Sequence, residues 1–206
     1  MMTKKLLTIV TAISLVLTLG IAVMAKDKTA YIEYENQSNV DNFGPTVGLD
    51  WHVNEKLTVS GSYQLEGDGA NEATLSVGAG YAINKDLSAG LSYDTADHED
   101  SLCLELNGKY ALEKPWALTG GIAYTDYSEE MSADYHKMEL SVGTEYQVNK
   151  DLTAGVSYVM SDPSNDDTDK YFVGNVAYAI NDYGVYCKYE TPDAGNKLTV
   201  GASYNF

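Results

Sequence analysis

The chain contains no arginine: its 13 basic residues are all lysines, set against 30 acids in 206 residues, for a formal net charge of −17. Nucleic acid is thereby excluded as a partner, because phosphate backbones are held by clustered cations. The planar forks that grip phosphates and carboxylates with two hydrogen bonds are missing too. There are only two cysteines, Cys103 and Cys187, and three histidines. Helix-length apolar runs are absent apart from one at the start, and mean hydropathy is −0.25. Hydropathy alone describes the rest as soluble. Transmembrane barrels escape that test, because their lipid-facing and lumen-facing residues alternate.

The single apolar run, Leu6 to Met24, follows Lys4 and Lys5 and ends in Val23-Met24-Ala25. A positive start, an apolar stretch and a small-x-small site predict a secretory signal peptide over 1–25. Its removal takes away two lysines and no acid, so −17 becomes −19 over the remaining 181 residues.

Residues 26–206 form one domain dominated by strict two-residue alternation, the period of a strand with two different faces. Twelve strands are predicted, near 29–36, 45–53, 57–65, 72–83, 87–95, 101–112, 116–127, 137–148, 152–160, 170–180, 183–190 and 197–206. Most approach the ~9–11 residues that a tilted strand needs to cross a bilayer. Five short connections rich in Asn, Asp, Lys and Pro alternate with six longer acidic ones. Short turns on the periplasmic side and longer loops outside are the asymmetry of outer-membrane barrels. Six strands end in the same way: Trp51-x-Val53, Tyr81-x-Ile83, Tyr110-x-Leu112, Tyr146-x-Val148, Tyr178-x-Ile180 and Tyr204-x-Phe206. The fold class is all-β, a transmembrane up-and-down antiparallel barrel in the bacterial outer membrane.

One face of each strand is apolar and the other small and polar. Leu198, Val200, Ala202, Tyr204 and Phe206 oppose Lys197, Thr199, Gly201, Ser203 and Asn205. A soluble barrel would bury the apolar face; a membrane barrel presents it to lipid. Small polar residues suit a concave lumen, and twelve strands leave a wider interior than the eight that side chains already fill. On this register the lumen receives Glu33, Glu35, Asp50, Asp94, Glu105, Glu139, Glu145 and Glu190, with Lys109, Lys137, Lys188 and Lys197. The acid surplus predicts either a cation-favouring, water-filled pore or an interior braced and plugged by Glu–Lys pairs. Cys103 falls on the lumen face and Cys187 on the lipid face of a distant strand, so the two are not expected to pair.

Aromatic residues on the apolar face gather toward two levels. Tyr63, Tyr93, Tyr124, Tyr158 and Tyr189 mark one rim; Trp51, Tyr81, Tyr110, Trp116, Tyr146, Tyr178, Tyr204 and Phe206 mark the other. Two girdles are expected at two membrane–water interfaces. β-propensity alone would scatter tyrosine along the strands.

The terminal segment Leu198-Thr-Val-Gly-Ala-Ser-Tyr-Asn-Phe206 resembles the C-terminal signal that outer-membrane barrels present to the barrel-assembly machinery. With a leader and about twelve strands, the chain is similar to the small monomeric porins, including the oligogalacturonate-specific family. The resemblance implies a monomer, contact with outer-membrane lipid and lipopolysaccharide, and passive transport across the Gram-negative envelope. Members of that family are associated with basic, arginine-containing channels for acidic oligosaccharides; here arginine is absent, so that substrate is not carried over.

Enzyme chemistry finds little footing. His52, His98 and His136 have no nucleophile at a matching spacing, and no His-x-Ser occurs. The acidic stretches 94–100 and 162–169 have oxygens enough for a divalent cation but lack the fixed glycine and terminal glutamate of an EF-hand. No catalytic residue, metal site or cofactor is predicted.

Overall fold

The short turns reverse the chain by a shared device. The Asn54 side-chain oxygen accepts the N–H groups of Lys56 (2.8 Å) and Leu57 (3.0 Å). Asn84 accepts that of Asp86 (2.8 Å), and Asn149 those of Asp151 (2.8 Å) and Leu152 (2.9 Å). An Asx turn satisfies backbone donors that the ladder leaves behind at the corner. In a fourth turn Asn181 takes a φ of 53°, a left-handed conformation that asparagine tolerates better than most residues.

The structure, a computed structural model, describes residues 27–38, 44–66, 73–129 and 133–206. The leader expected over 1–25, and parts of the connections near 37–44, 66–71 and 128–136, fall outside the described residues. Twelve strands follow in order: β1 (Lys28–Gln37), β2 (Thr46–His52), β3 (Leu57–Gln64), β4 (Thr74–Asn84), β5 (Leu87–Thr95), β6 (Glu99–Ala111), β7 (Trp116–Glu129), β8 (Tyr135–Gln147), β9 (Leu152–Pro163), β10 (Asp169–Ile180), β11 (Tyr183–Glu190) and β12 (Lys197–Asn205). Each pairs antiparallel with its chain neighbours, and β1 pairs with β12, so the sheet is a closed barrel. The seam runs from Thr29↔Asn205 to Gln37↔Lys197. Two further backbone bonds extend it, Lys28 N–H to the Phe206 carbonyl (3.1 Å) and Phe206 N–H to the Lys28 carbonyl (2.9 Å). Closure leaves no unpaired strand edge.

Strands β5 and β11 coincide with their sequence expectation. The main differences lie at the loop ends of β6 to β9. Glu99-Asp100, Ser128-Glu129, Tyr135-His136 and Ser161 to Pro163 extend the ladder where the sequence reading ends the strands. Acidic composition suggested loop there; cross-strand pairing overrides it.

The barrel has almost no apolar core. Among the described residues only Leu75, Ala117 and Val159 are buried hydrophobics, whereas Leu104 is 53%, Val142 62% and Tyr110 63% exposed. A soluble barrel does the reverse. An apolar belt turned outward on every strand is stable only against lipid, which decides between the two burials left open by the sequence.

Candidate functional site

Register places all twelve charged residues singled out in the sequence on the face opposite the apolar belt. Glu33 stands across from Thr46 and Gly201, Glu35 from Thr199, and Asp50 from Ser60. Asp94 faces Ser76 and Ser101, and Glu105 faces Gly90 and Ala123. Lys109 stands opposite Thr119, Lys137 opposite Thr125, Glu139 opposite Ala123, and Glu145 opposite Ala117 and Gly155. Lys188 lies opposite Asn175 and Thr199, and Glu190 opposite Val173 and Lys197.

Each of the four lysines is held by a glutamate. Lys197 meets Glu35 at 2.8 Å, Lys188 meets Glu190 at 3.2 Å, and Lys137 meets Glu139 at 3.4 Å. Lys109 pairs with Glu145. Among the described residues Asp50, Asp94 and Glu105 are brought to no lysine; Asp94 instead accepts the Ser101 hydroxyl at 3.3 Å. The same face also carries Glu99, Glu129 and Asp169, which the sequence reading had assigned to loops or passed over. The acid surplus on this face is therefore larger than the sequence count.

Five tyrosines that sequence reasoning missed share this face: Tyr31, Tyr127, Tyr135, Tyr171 and Tyr186. Three of them donate to a glutamate two strands away. Tyr186 on β11 reaches Glu33 on β1, Tyr171 on β10 reaches Glu139 on β8 at 3.2 Å, and Tyr135 on β8 reaches Glu99 on β6 at 3.3 Å. Tyr127 stacks on Tyr135, with centroids 4.4 Å apart and planes 5° apart, and Lys137 Nζ lies 5.7 Å from the Tyr127 centroid. Parity was the available signal, since Tyr31 sits two residues before Glu33 and Tyr186 two before Lys188.

Glycine makes these long reaches possible. A Cβ at Gly201 would collide with the Tyr186 ring, one at Gly48 with the Tyr31 ring, and one at Gly90 with the Glu105 side chain. Each bulky side chain thus lies flat along the wall over a glycine of the adjoining strand instead of standing upright.

Cavities open at both ends of this face. Toward the longer connections, one of about 620 Å³ is bounded by Tyr31, Glu33, Glu35, Ser62, Ser76, Glu99 and Lys197. Toward the short turns, one of about 690 Å³ is bounded by His52, Thr58, Gly80, Ser88 and Glu105. A third, of about 460 Å³, includes Lys109, Thr119, Ser141 and Ser157. On β3 only Ser60 separates the residues that line the first two cavities, and on β4 only Gly78.

The aromatic residues expected in girdles lie on the apolar face at the two rims. Trp116 and Tyr146 meet at 4.7 Å, Tyr183 and Tyr204 at 4.9 Å, and Tyr204 and Phe206 at 6.0 Å near the short turns. At the opposite rim Tyr158 meets Phe172 at 5.4 Å and Tyr124 meets His136 at 5.7 Å. Tyr63, Tyr81, Tyr93, Tyr110, Tyr178 and Tyr189 are exposed on the same face. Trp51 is half-buried, and its Nε1 has no partner among the described residues. Both cysteines are free thiols: Cys103 lies on the polar face between Ser92 and Thr125, Cys187 on the apolar face between Val176 and Val200. His52 Nδ1 lies 2.8 Å from the Thr58 hydroxyl.

A family model described as Gram-negative porin matches residues 29–183. None of the curated proteins matches the chain. Among solved structures, a KdgM porin superposes with a TM-score of 0.63 at 16% identity, over 86% of this chain and 99% of that one. The COG4313 outer membrane channel from Pseudomonas putida F1 gives 0.64 at 13% identity, over 90% and 97%. A NanC porin gives 0.61 at 12% identity, over 87% and 100%. At these identities the likeness is one of fold.

Proposed function

The chain belongs to the Gram-negative porin family, and from that premise we propose that its outer-membrane barrel is an open channel for small hydrophilic solutes that favours cations. One observation carries the selectivity: among the described residues every lysine on the polar face is tied to a glutamate, while Asp50, Asp94 and Glu105 have no lysine beside them. Paired lysines cancel locally. The remaining acids set the field, and rings of carboxylate in a narrow passage raise the concentration of cations.

An open path is supported by the cavities at both ends and by the small residues between them. Thr58, Ser60 and Ser62 on β3, Ser76, Gly78 and Gly80 on β4, and Ser88, Gly90 and Ser92 on β5 form a hydroxyl-lined gutter. The inward tyrosines collect on the other wall, from β7 through β12 to β1.

The polar face is accordingly the lumen, and the aromatic rims are the interfacial girdles. Outer-membrane lipid and lipopolysaccharide cover the belt, one chain makes one pore, and β12 is the segment read by the barrel-assembly machinery. No step of catalysis belongs to this reading. The test is the reversal potential of the purified barrel in a planar bilayer under a salt gradient. A cation-selective value is expected; an anion-selective channel would refute the lumen charge balance, and a silent barrel would refute the open path.

A further inference from the structure

Resting on the lipid-covered belt proposed above, we infer that one side of the periplasmic rim is a binding surface for anionic phospholipid headgroups, with a lysine at each of three consecutive corners as the phosphate contact. Lysine is spread unevenly between the two ends of the barrel. Four of the five short turns carry one, Lys56, Lys85, Lys114 and Lys150, and the six longer connections carry none. In three of those turns the lysine stands four residues after a girdle tyrosine: Tyr81 and Lys85, Tyr110 and Lys114, Tyr146 and Lys150. These turns join β4 to β5, β6 to β7 and β8 to β9, so they are neighbours along the rim.

The corners present the ammonium and withdraw the acid. Asp86 and Asp151 follow Lys85 and Lys150 and are built into the wall. Their N–H groups donate to the Asn84 and Asn149 side chains at 2.8 Å, and their carbonyls accept the N–H groups of Lys109 and Ala179, also at 2.8 Å. The lysines are left at the tips. Their side chains are 88% and 90% exposed, against 38% and 27% for the two aspartates, and each pair is held only at 3.8 Å. Exposed ion pairs contribute little, so both ammonium groups are available to a phosphate. Lys114 is exposed as well, and Trp116, two residues on, packs against Tyr146 at 4.7 Å.

Height and spacing match a lipid leaflet. Four residues at ~3.3 Å each, on a strand tilted ~40°, set the corner ~10 Å beyond the girdle ring. The headgroup layer is ~5–8 Å deep on each side of the hydrocarbon. A flexible lysine stem folds back over that difference and keeps its charge in the polar layer. Neighbouring corners are two strands apart, ~12 Å along the rim, so each lysine meets its own lipid while the tyrosine above it lies at the interface. A headgroup of net negative charge is drawn to such lysines; a zwitterionic one brings an ammonium of its own that competes for the phosphate. The constant interval between tyrosine and lysine ties the charge to the membrane surface, not to the cell wall beyond it. The other corners differ: Lys56 follows Glu55, and the β10–β11 turn, Asn181-Asp182, holds no lysine. The strongest preference therefore falls on the arc from β4 to β9.

The two tryptophans of the chain, Trp51 and Trp116, both stand in the girdle at this rim and serve as reporters. With Trp51→Phe, Trp116 alone reads the lipid beside Lys114. The intact barrel is folded into phosphatidylcholine vesicles containing rising fractions of brominated phosphatidylglycerol or brominated phosphatidylcholine, and quenching is followed. Phosphatidylglycerol is expected to quench with an apparent affinity about fivefold higher, the share of one lysine at a charged surface. The excess should vanish toward 1 M salt, where the Debye length is about 3 Å. Lys114→Gln should abolish it and Lys114→Arg should keep it, whereas Lys170→Gln, beside Met160 toward the opposite rim, should change nothing. Native mass spectrometry of the barrel released from the same vesicles should show about three fewer retained phosphatidylglycerols, one per corner, when Lys85→Gln, Lys114→Gln and Lys150→Gln are combined. Equal quenching by the two lipids would keep the belt in the membrane and overturn the inference. Quenching by neither, in a barrel that still migrates as folded, would refute the lipid-facing belt and the inference with it. Binding to cell-wall sacculi that the triple variant loses, with its lipid preference intact, would assign the lysines to peptidoglycan and overturn the phospholipid surface.

Discussion

Tyr186 and Glu33 are hydrogen-bonded although their strands are not neighbours. The intervening strand β12 places Gly201 directly opposite both of them, and the phenol ring crosses where a Cβ would stand. The contact bends a side chain around the inside of the wall and ties β11 to β1 across the barrel seam.

Gly201→Val should therefore lift the Tyr186 ring off the wall and into the lumen. Single-channel conductance is expected to fall, and Tyr186→Ala in the same chain should restore it. A Gly201→Val barrel with undiminished conductance would mean that the ring finds another place on the wall.

Tyr186→Phe removes the donor and leaves the ring. A hydrogen bond to a charged acceptor contributes about 1.5–3 kcal/mol, and water in the adjoining cavity replaces part of it. A loss near the lower figure is expected in urea unfolding from lipid vesicles, with conductance little changed. A loss above about 4 kcal/mol would make Tyr186 a structural anchor of the seam.

Much of this architecture was legible in the sequence because the two-residue period is rigid: once one strand's faces are read, the others follow through the turns. The four Asn-led turns and the apolar face of β12 needed only local chemistry. The five inward tyrosines were not read, because tyrosine suits a girdle, a lumen and a strand equally well, and parity was followed for the aromatic residues only on the apolar face. The loop ends of β6 to β9 were missed for a different reason. Residues such as Glu99 and Glu129 look like loop by composition, and only pairing with a neighbour turns them into strand. Which lysine meets which glutamate depends on the stagger between strands, which no single strand displays.

The two thiols offer a direct measure of the faces. With Cys187 replaced by Ser, a water-soluble methanethiosulfonate reagent should modify Cys103 and reduce the current, and a cationic reagent should react faster than an anionic one. With Cys103 replaced by Ser, Cys187 should stay unmodified in lipid and react in the unfolded chain. Equal protection of both in the folded barrel would contradict a water-filled lumen at the level of Ser92 and Thr125.

Charge substitutions should divide by partner. Glu105→Gln removes an acid that no lysine meets and should lower cation preference modestly. Glu145→Gln also releases Lys109 from its pair and should lower it further. Lys109→Gln should raise it. All three shifts should shrink toward 1 M salt, where the Debye length is about 3 Å. Reversal potentials across a series of salt gradients report the order, and a larger effect from Glu105→Gln than from Glu145→Gln would contradict the pairing argument.

Phe206 exchanges two backbone bonds with Lys28 at the seam and presents its ring to lipid. Phe206→Ala keeps those bonds and should cost about 2–3 kcal/mol of burial at most. Removing the residue also opens the seam, and should lower membrane levels far more than Phe206→Ala or Tyr93→Ala. Equal levels of all three in outer-membrane fractions would remove any special role of the last position in assembly.

The glycine seats beneath Tyr31, Tyr186 and Glu105 imply that bore width is written in pairs. A large residue narrows this channel only when the position beside it on the next strand also carries bulk, so the two sites drift together or not at all. Scanning one strand at a time would score the glycine as blocking and its large partner as neutral, and would miss that the two act as a pair. The calibre of a barrel built this way is a property of the weave between strands, and diversification of its lumen proceeds by matched exchanges across the ladder.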